Sequence, residues 1–164
     1  MLKKIFLIRH AEAMPADLSM RDFDRPLSAN GYRDANHLGM YLNNESINPD
    51  AFLSSTALRT RETTEAIINQ IKFEEKRVQY LDNLYEPAVR EMLKIVNELS
   101  SDISTVIMVS HNPAITYFGE YLSGSAVGNM SPASMVVINF AVDNWSEVSQ
   151  NSGSFEKHIT ADQV

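Results

Sequence analysis

Two short runs constrain this chain more than anything else in it. Thr105 to Val109 reads T-V-I-M-V, and Leu2 to Ile8 is a near-continuous apolar, β-friendly stretch. Runs without polar alternation suit strands covered on both faces, as in a parallel sheet with helices packed on each side. Further strands are predicted at Ala51–Leu53, Val78–Leu81, Met135–Phe140 and Phe155–Ile159. Helices are predicted between them. The first runs from an N-cap at Ser28 to about Leu42, with Tyr32, Ala35, Leu38, Gly39 and Leu42 as its apolar stripe. The others span Thr56 to Ile71, start at Pro87 and continue along Val89, Leu93, Val96 and Leu99, and run from Pro113 to about Leu122. Strands alternating with helices predict the α/β class, a three-layer α/β/α sandwich around a mostly parallel central sheet. One domain over residues 1–164 accommodates it.

Composition narrows the function. The 164 residues are 44% hydrophobic and 21% charged, as in a globular chain with a real core. Net charge is -7, a poor balance for nonspecific binding to nucleic acid or a membrane surface, so neither partner is expected. The absence of cysteine excludes disulfides, thiolate nucleophiles and Cys-ligated metal, and suits a cytoplasmic protein. The first apolar run breaks at Arg9, too short for a signal core, and reads as a buried strand. No stretch approaches the length of a membrane span.

In open α/β sheets, ligands bind beyond the carboxyl ends of the strands. Three predicted strand ends carry chemistry: Arg9-His10, Ser54-Ser55 through Arg59, and Ser110-His111. If these ends converge, two guanidinium forks can match a phosphate's oxygens and two imidazoles can act near neutral pH. The hydroxyls of Ser54, Ser55 and Ser110 can tune orientation. Phosphoryl transfer is mostly positioning and charge neutralisation, and this set supplies both. Taken singly, each element has a plainer reading. Arg59 and Arg61 can be solvated or paired with Glu62 and Glu65, and Ser-His-Asn-Pro can be an ordinary strand-to-helix turn. His37 and His158 carry no such constellation and read as structural. No helix-spaced ligands flank His10 or His111, so no metal is expected. The eight methionines are expected to fill an irregular core.

L-I-R-H-A-E at 7–12, S-S-T-A-L-R-T-R-E-T at 54–63 and V-S-H-N-P at 109–113 stand in order along the chain. They resemble the three motifs of the histidine phosphatase, or phosphoglycerate mutase-like, superfamily. D-R-P-L-S-A-N-G at 24–31 is similar to a further segment common in its small members. The resemblance implies a phosphoglycerate mutase-like fold and a phosphatase with no metal or cofactor. It implies His10 as nucleophile, with Arg9, Arg59 and His111 holding the phosphoryl oxygens. Ala11 stands where the family often has Gly, a departure tolerated in the branch resembling SixA phosphohistidine phosphatases.

The general acid stays open. Glu86, in L-Y-E-P, lies where the family places its acid, but it also reads as a helix-start carboxylate favoured by the macrodipole. Glu12 is a weaker alternative. The compact chain favours a protein phosphohistidine phosphatase, whose partner would be a His-phosphorylated signalling protein. A small-molecule phosphomonoesterase and a non-catalytic phospho-ligand module are the alternatives. Residues 14–25 read as a loop able to shape access, and the tail after Phe140 carries no assignable role.

Overall fold

The computed structural model describes residues 2–164. Its six strands are β1 (Leu2–Arg9), β2 (Ala51–Ser55), β3 (Val78–Leu81), β4 (Thr105–Ser110), β5 (Met135–Ala141) and β6 (Ser154–Ile159). They form one sheet in the order β3-β2-β4-β1-β5-β6. β3, β2, β4 and β1 run parallel, while β5 pairs antiparallel with β1 and β6 pairs antiparallel with β5. The four helices are α1 (Ala29–Asn44), α2 (Leu58–Ile71), α3 (Val89–Asn97) and α4 (Ala114–Ser123).

The two unbroken apolar runs become the two central strands, and alternation divides them between two cores. Ile5 and Leu7 of β1, with Val106 and Met108 of β4, face α3 and α4 through Met92, Val96, Ile115 and Phe118. Phe6 and Ile8, with Ile107 and Val109, face α1 and α2 through Leu38, Leu42, Ile67 and Ile68. The three-layer sandwich expected from the sequence is therefore the observed fold.

Three helices start later than the sequence predicts, α2 and α3 by two residues and α4 by one. β2 continues through Ser54 and Ser55 because their hydroxyls find partners inside the protein, so α2 begins at Leu58. Glu86 takes a left-handed φ of 52°, which pushes the start of α3 past Pro87 to Val89. Ser28 caps α1 as predicted, accepting from Gly31 N–H at 3.0 Å. Gly31 is needed there, since a Cβ would stand 2.1 Å from the Glu12 carbonyl oxygen.

Two packing expectations need correction. Tyr32 is 41% exposed, and its hydroxyl bonds the Glu62 carboxylate instead of joining the apolar stripe. Of the methionines, Met92, Met108, Met130 and Met135 are buried, whereas Met14, Met20 and Met40 are exposed and Met1 lies outside the described residues. The tail after Phe140 completes the fold: buried Trp145 donates its indole N–H to the Ile103 carbonyl at 2.7 Å, and β6 pairs with β5.

Candidate active site

Because β2, β4 and β1 are neighbours, their carboxyl ends lie side by side. Arg9 pairs in register with Ser110, and His10 N–H donates to the Ser110 carbonyl at 3.1 Å. The His10 and His111 rings lie 5.3 Å apart between centroids. Arg59 reaches in from the first turn of α2, its Nε 3.4 Å from His10 Nε2. His10, His111 and Arg59 are all buried.

His10 has a defined tautomer. Its Nδ1 lies 2.7 Å from the Ala11 carbonyl oxygen, which can only accept, so Nδ1 carries the proton and Nε2 keeps its lone pair. Burial lowers its pKa to about 4, against the Ala11 hydrogen bond and with help from the nearby Arg59, Arg9 and Arg25 charges. The imidazole is thus neutral at pH 7, as a nucleophile must be.

His111 is held from its other side. Ser55 Oγ lies 2.8 Å from His111 Nε2 and accepts from Ala57 N–H at 3.3 Å. Burial, then the charges of His10 and Arg59, pulls the His111 pKa down to about 3. His111 Nδ1 is a buried atom with no hydrogen-bond partner among the described residues.

Arg9 Nη1 donates to the Met130 carbonyl at 2.9 Å, while its buried Nε has no partner among the described residues. Burial and the neighbouring Arg59 depress its pKa. Arg9 and Arg59 repel each other, and the buried atoms Arg9 Nε and His111 Nδ1 have no hydrogen-bond partner among the described residues. Such a cluster favours a multiply charged anion with several oxygens.

Not every candidate reaches this cluster. Ser110 turns its hydroxyl to the Leu84 carbonyl at 2.9 Å, and Ser54 turns its own to the Ser55 carbonyl at 2.9 Å. Glu12 accepts from the Ser28 hydroxyl at 2.7 Å, at the start of α1. Arg61 stacks on Tyr80, 4.1 Å from the ring centroid, instead of pairing with Glu62 or Glu65. His37 is exposed on α1, and His158 Nδ1 pairs with the Val127 carbonyl at 3.1 Å. Exposed Glu86 lines a cavity of about 640 Å³ with Asp22, Arg59, Val89, His111 and Tyr117.

Two further residues of the site, one lining this cavity and one beside it, carry no signal in the sequence motifs. Asp22, in the short turn Asp22–Asp24, pairs with Arg59 at 3.0 Å. Tyr85 donates its hydroxyl to Asp22 at 2.8 Å and packs edge-on against His111, with ring centroids 5.4 Å apart. They stand in D-F-D-R-P and L-Y-E-P, next to residues singled out for other reasons.

The model of the histidine phosphatase superfamily (branch 1) matches residues 5–98, more than half of the chain. The chain belongs to that superfamily and is a phosphatase. An uncharacterised chloroplastic protein of Arabidopsis thaliana is 31% identical over 159 residues, covering 92% of this chain and 72% of its own. A structure from Nakamurella multipartitia named as phosphohistidine phosphatase SixA is 28% identical, with TM-score 0.81 and coverage of 96% of this chain and 95% of that one. A second structure of that name, from Agrobacterium tumefaciens, shares the fold at 23% identity, with TM-score 0.83 and coverage of 96% and 97%. Ala11, the departure from the usual Gly, is accommodated in a cluster of small side chains with Ala35, Ala66 and Ala133. Its N–H donates to Thr63 Oγ1 at 3.0 Å.

Proposed function

We propose that this phosphatase hydrolyses phosphohistidine on a protein partner, through a phosphohistidine of its own at His10. The observation that carries the chemistry is the His10 tautomer, locked by Ala11 with Nε2 turned to Arg59. In the first step His10 Nε2 attacks phosphorus, the P–N bond to the partner's imidazole breaks, and the leaving nitrogen takes a proton from solvent. Arg9, Arg59 and His111 hold the three phosphoryl oxygens and stabilise the charge spread over them in the transition state. Water then attacks the phosphoenzyme, releasing phosphate and neutral His10.

The substrate class rests on likeness to a SixA structure over nearly the whole of both chains. Leaving-group chemistry supports it. Imidazole has a conjugate acid of pKa about 6.5 and leaves with little help, whereas an alkoxide needs a well-placed acid. The cysteine-free composition suits action in the cytoplasm. A second reading, hydrolysis of phosphate monoesters, is favoured by Glu86, which lines the cavity from a strained left-handed turn.

Rapid quenching after mixing with a labelled phosphohistidine peptide tests the reading. An acid-labile, base-stable phosphoenzyme is expected in the wild type and not in His10→Ala. No label and no hydrolysis with any phosphodonor would return the chain to a phospho-ligand binder. Faster turnover of an alkyl phosphate than of the peptide, slowed in Glu86→Gln, selects the monoesterase.

A further inference from the structure

Asp22 makes more bonds to the site than its half-exposed place on a surface turn requires. Its carbonyl oxygen accepts from Arg59 Nη1 at 2.8 Å, and its Oδ2 accepts from Arg59 Nη2 at 3.0 Å. Oδ2 also takes the Tyr85 hydroxyl proton at 2.8 Å, and Oδ1 accepts from Arg25 Nε at 3.0 Å. Burial pushes the Asp22 carboxyl up, but Tyr85 and Arg59 outweigh it and hold the group below the usual range. The carboxylate is therefore ionised wherever the enzyme is folded and near neutrality.

A guanidinium presents five N–H donors in one plane, grouped along two usable edges. Asp22 takes the end-on edge formed by Nη1 and Nη2. The side-on edge, made by Nε–H and the second Nη2–H, is turned to His10, with Nε donating to His10 Nε2 at 3.4 Å. Two phosphoryl oxygens on His10 would meet that edge as a fork. Arginine has a long, rotatable stem, and here a second guanidinium, that of Arg9, repels it. The two Asp22 oxygens behind Arg59 fix its rotation against that repulsion.

We propose that Asp22 is a positioning residue, which holds the outer edge of Arg59 so that the inner edge faces the phosphoryl group on His10. The inference rests on the roles proposed above for His10 and Arg59. It opposes the view of Asp22 as a stand-in for phosphate that substrate must displace, because the two edges are different. Tyr85 and Arg25 serve the same end by holding the carboxylate from behind.

Asp22→Ala, Asp22→Asn and Tyr85→Phe test it, with para-nitrophenyl phosphate as substrate and orthovanadate as a competitive inhibitor. Asp22→Ala is expected to lower kcat by about 10- to 100-fold, the scale of a misplaced catalytic group, with a smaller change in KM and weaker vanadate inhibition. Asp22→Asn keeps an oxygen for Nη2 and is expected to retain kcat within a few-fold, a rescue that a general loss of structure would not produce. Tyr85→Phe should fall between the wild type and Asp22→Ala. Faster turnover or tighter vanadate binding in Asp22→Ala would make the carboxylate a competitor and overturn the proposal. An unchanged kcat in Asp22→Ala, or equal losses in Asp22→Ala and Asp22→Asn, would overturn it too. His10→Ala serves as the control: if it still turns over, the reading of the site itself has failed, whatever Asp22 does.

Discussion

The floor and the rim of the candidate site are built by different means. Strand ends make the floor, where His10, His111 and Ser55 are buried and each is held by a bond to the protein. Loops make the rim, where Asp22 is half exposed and Glu86 is exposed on a left-handed turn. Side chains fixed by a sheet keep their geometry without spending flexibility, which is what phosphoryl transfer asks of them. Rim residues set what approaches, and change there leaves the sheet intact. Reaction and substrate choice are thus carried by separable parts of the molecule.

The largest expected effect lies at the floor. His10→Ala should lower kcat/KM by about 10⁴-fold or more while leaving the melting temperature near that of the wild type, as steady-state kinetics and calorimetry would establish. A residual activity within 100-fold of the wild type would move the nucleophile elsewhere and break the comparison.

Acid comes next. His10 and His111 have folded pKa values of about 4 and about 3, below the ordinary value of about 6.5, so the unfolded chain binds more protons than the folded one. Their contribution to stability is full above about pH 6.5 and is lost as pH falls towards those folded values. Each can remove at most about 1.4 kcal/mol per pH unit within that window. Urea melts at pH 7.5 and 5.0 should show the loss, and His111→Gln should flatten it. An equal slope in that variant would assign the acid sensitivity to carboxylates instead.

Ser55→Ala should be milder, costing about tenfold in kcat, because His111 keeps its place between Tyr85 and His10 but loses its bond to the Ser55 hydroxyl. The smallest effect is at the rim. Glu86→Gly relieves a non-glycine left-handed residue and should raise stability by about 0.5–1 kcal/mol, read by chemical denaturation. The same variant should hydrolyse phosphohistidine peptide at the wild-type rate. A loss there as large as that of Ser55→Ala would merge rim and floor into one catalytic unit.

This division also decides what a reader of the sequence can see. Thr105–Val109 and Leu2–Ile8 announce buried strands because burial on both faces leaves only apolar residues, and their ends point to His10 and His111. Which hydroxyl serves the site was not legible. Ser54, Ser55 and Ser110 look alike in the chain, but only Ser55 faces His111, a matter of pleat and register. Asp22 and Tyr85 were missed because turns have no periodicity to betray the direction of a side chain. The exposed Met14 and Met20 sit in that same loop, where no core pattern constrains them.

The reversal of β5 has a consequence for how such an enzyme can change. A parallel strand would leave the site at its end, whereas β5 enters the sheet beside it, preceded by a segment that descends past the anion cluster. Ala133 N–H is shared between the Arg9 and His10 carbonyls at 3.2 and 3.1 Å, and Asn112 grips the Met130 carbonyl at 2.8 Å, so the lower part of that segment is tied down. Above it, Gly128 has open space around it, with no atom within 4 Å of where a Cβ would sit. New sequence inserted at Gly128 would grow outward into solvent from a fixed root. The scaffold thus carries a point where sequence can be added without disturbing the strand ends that hold its chemistry.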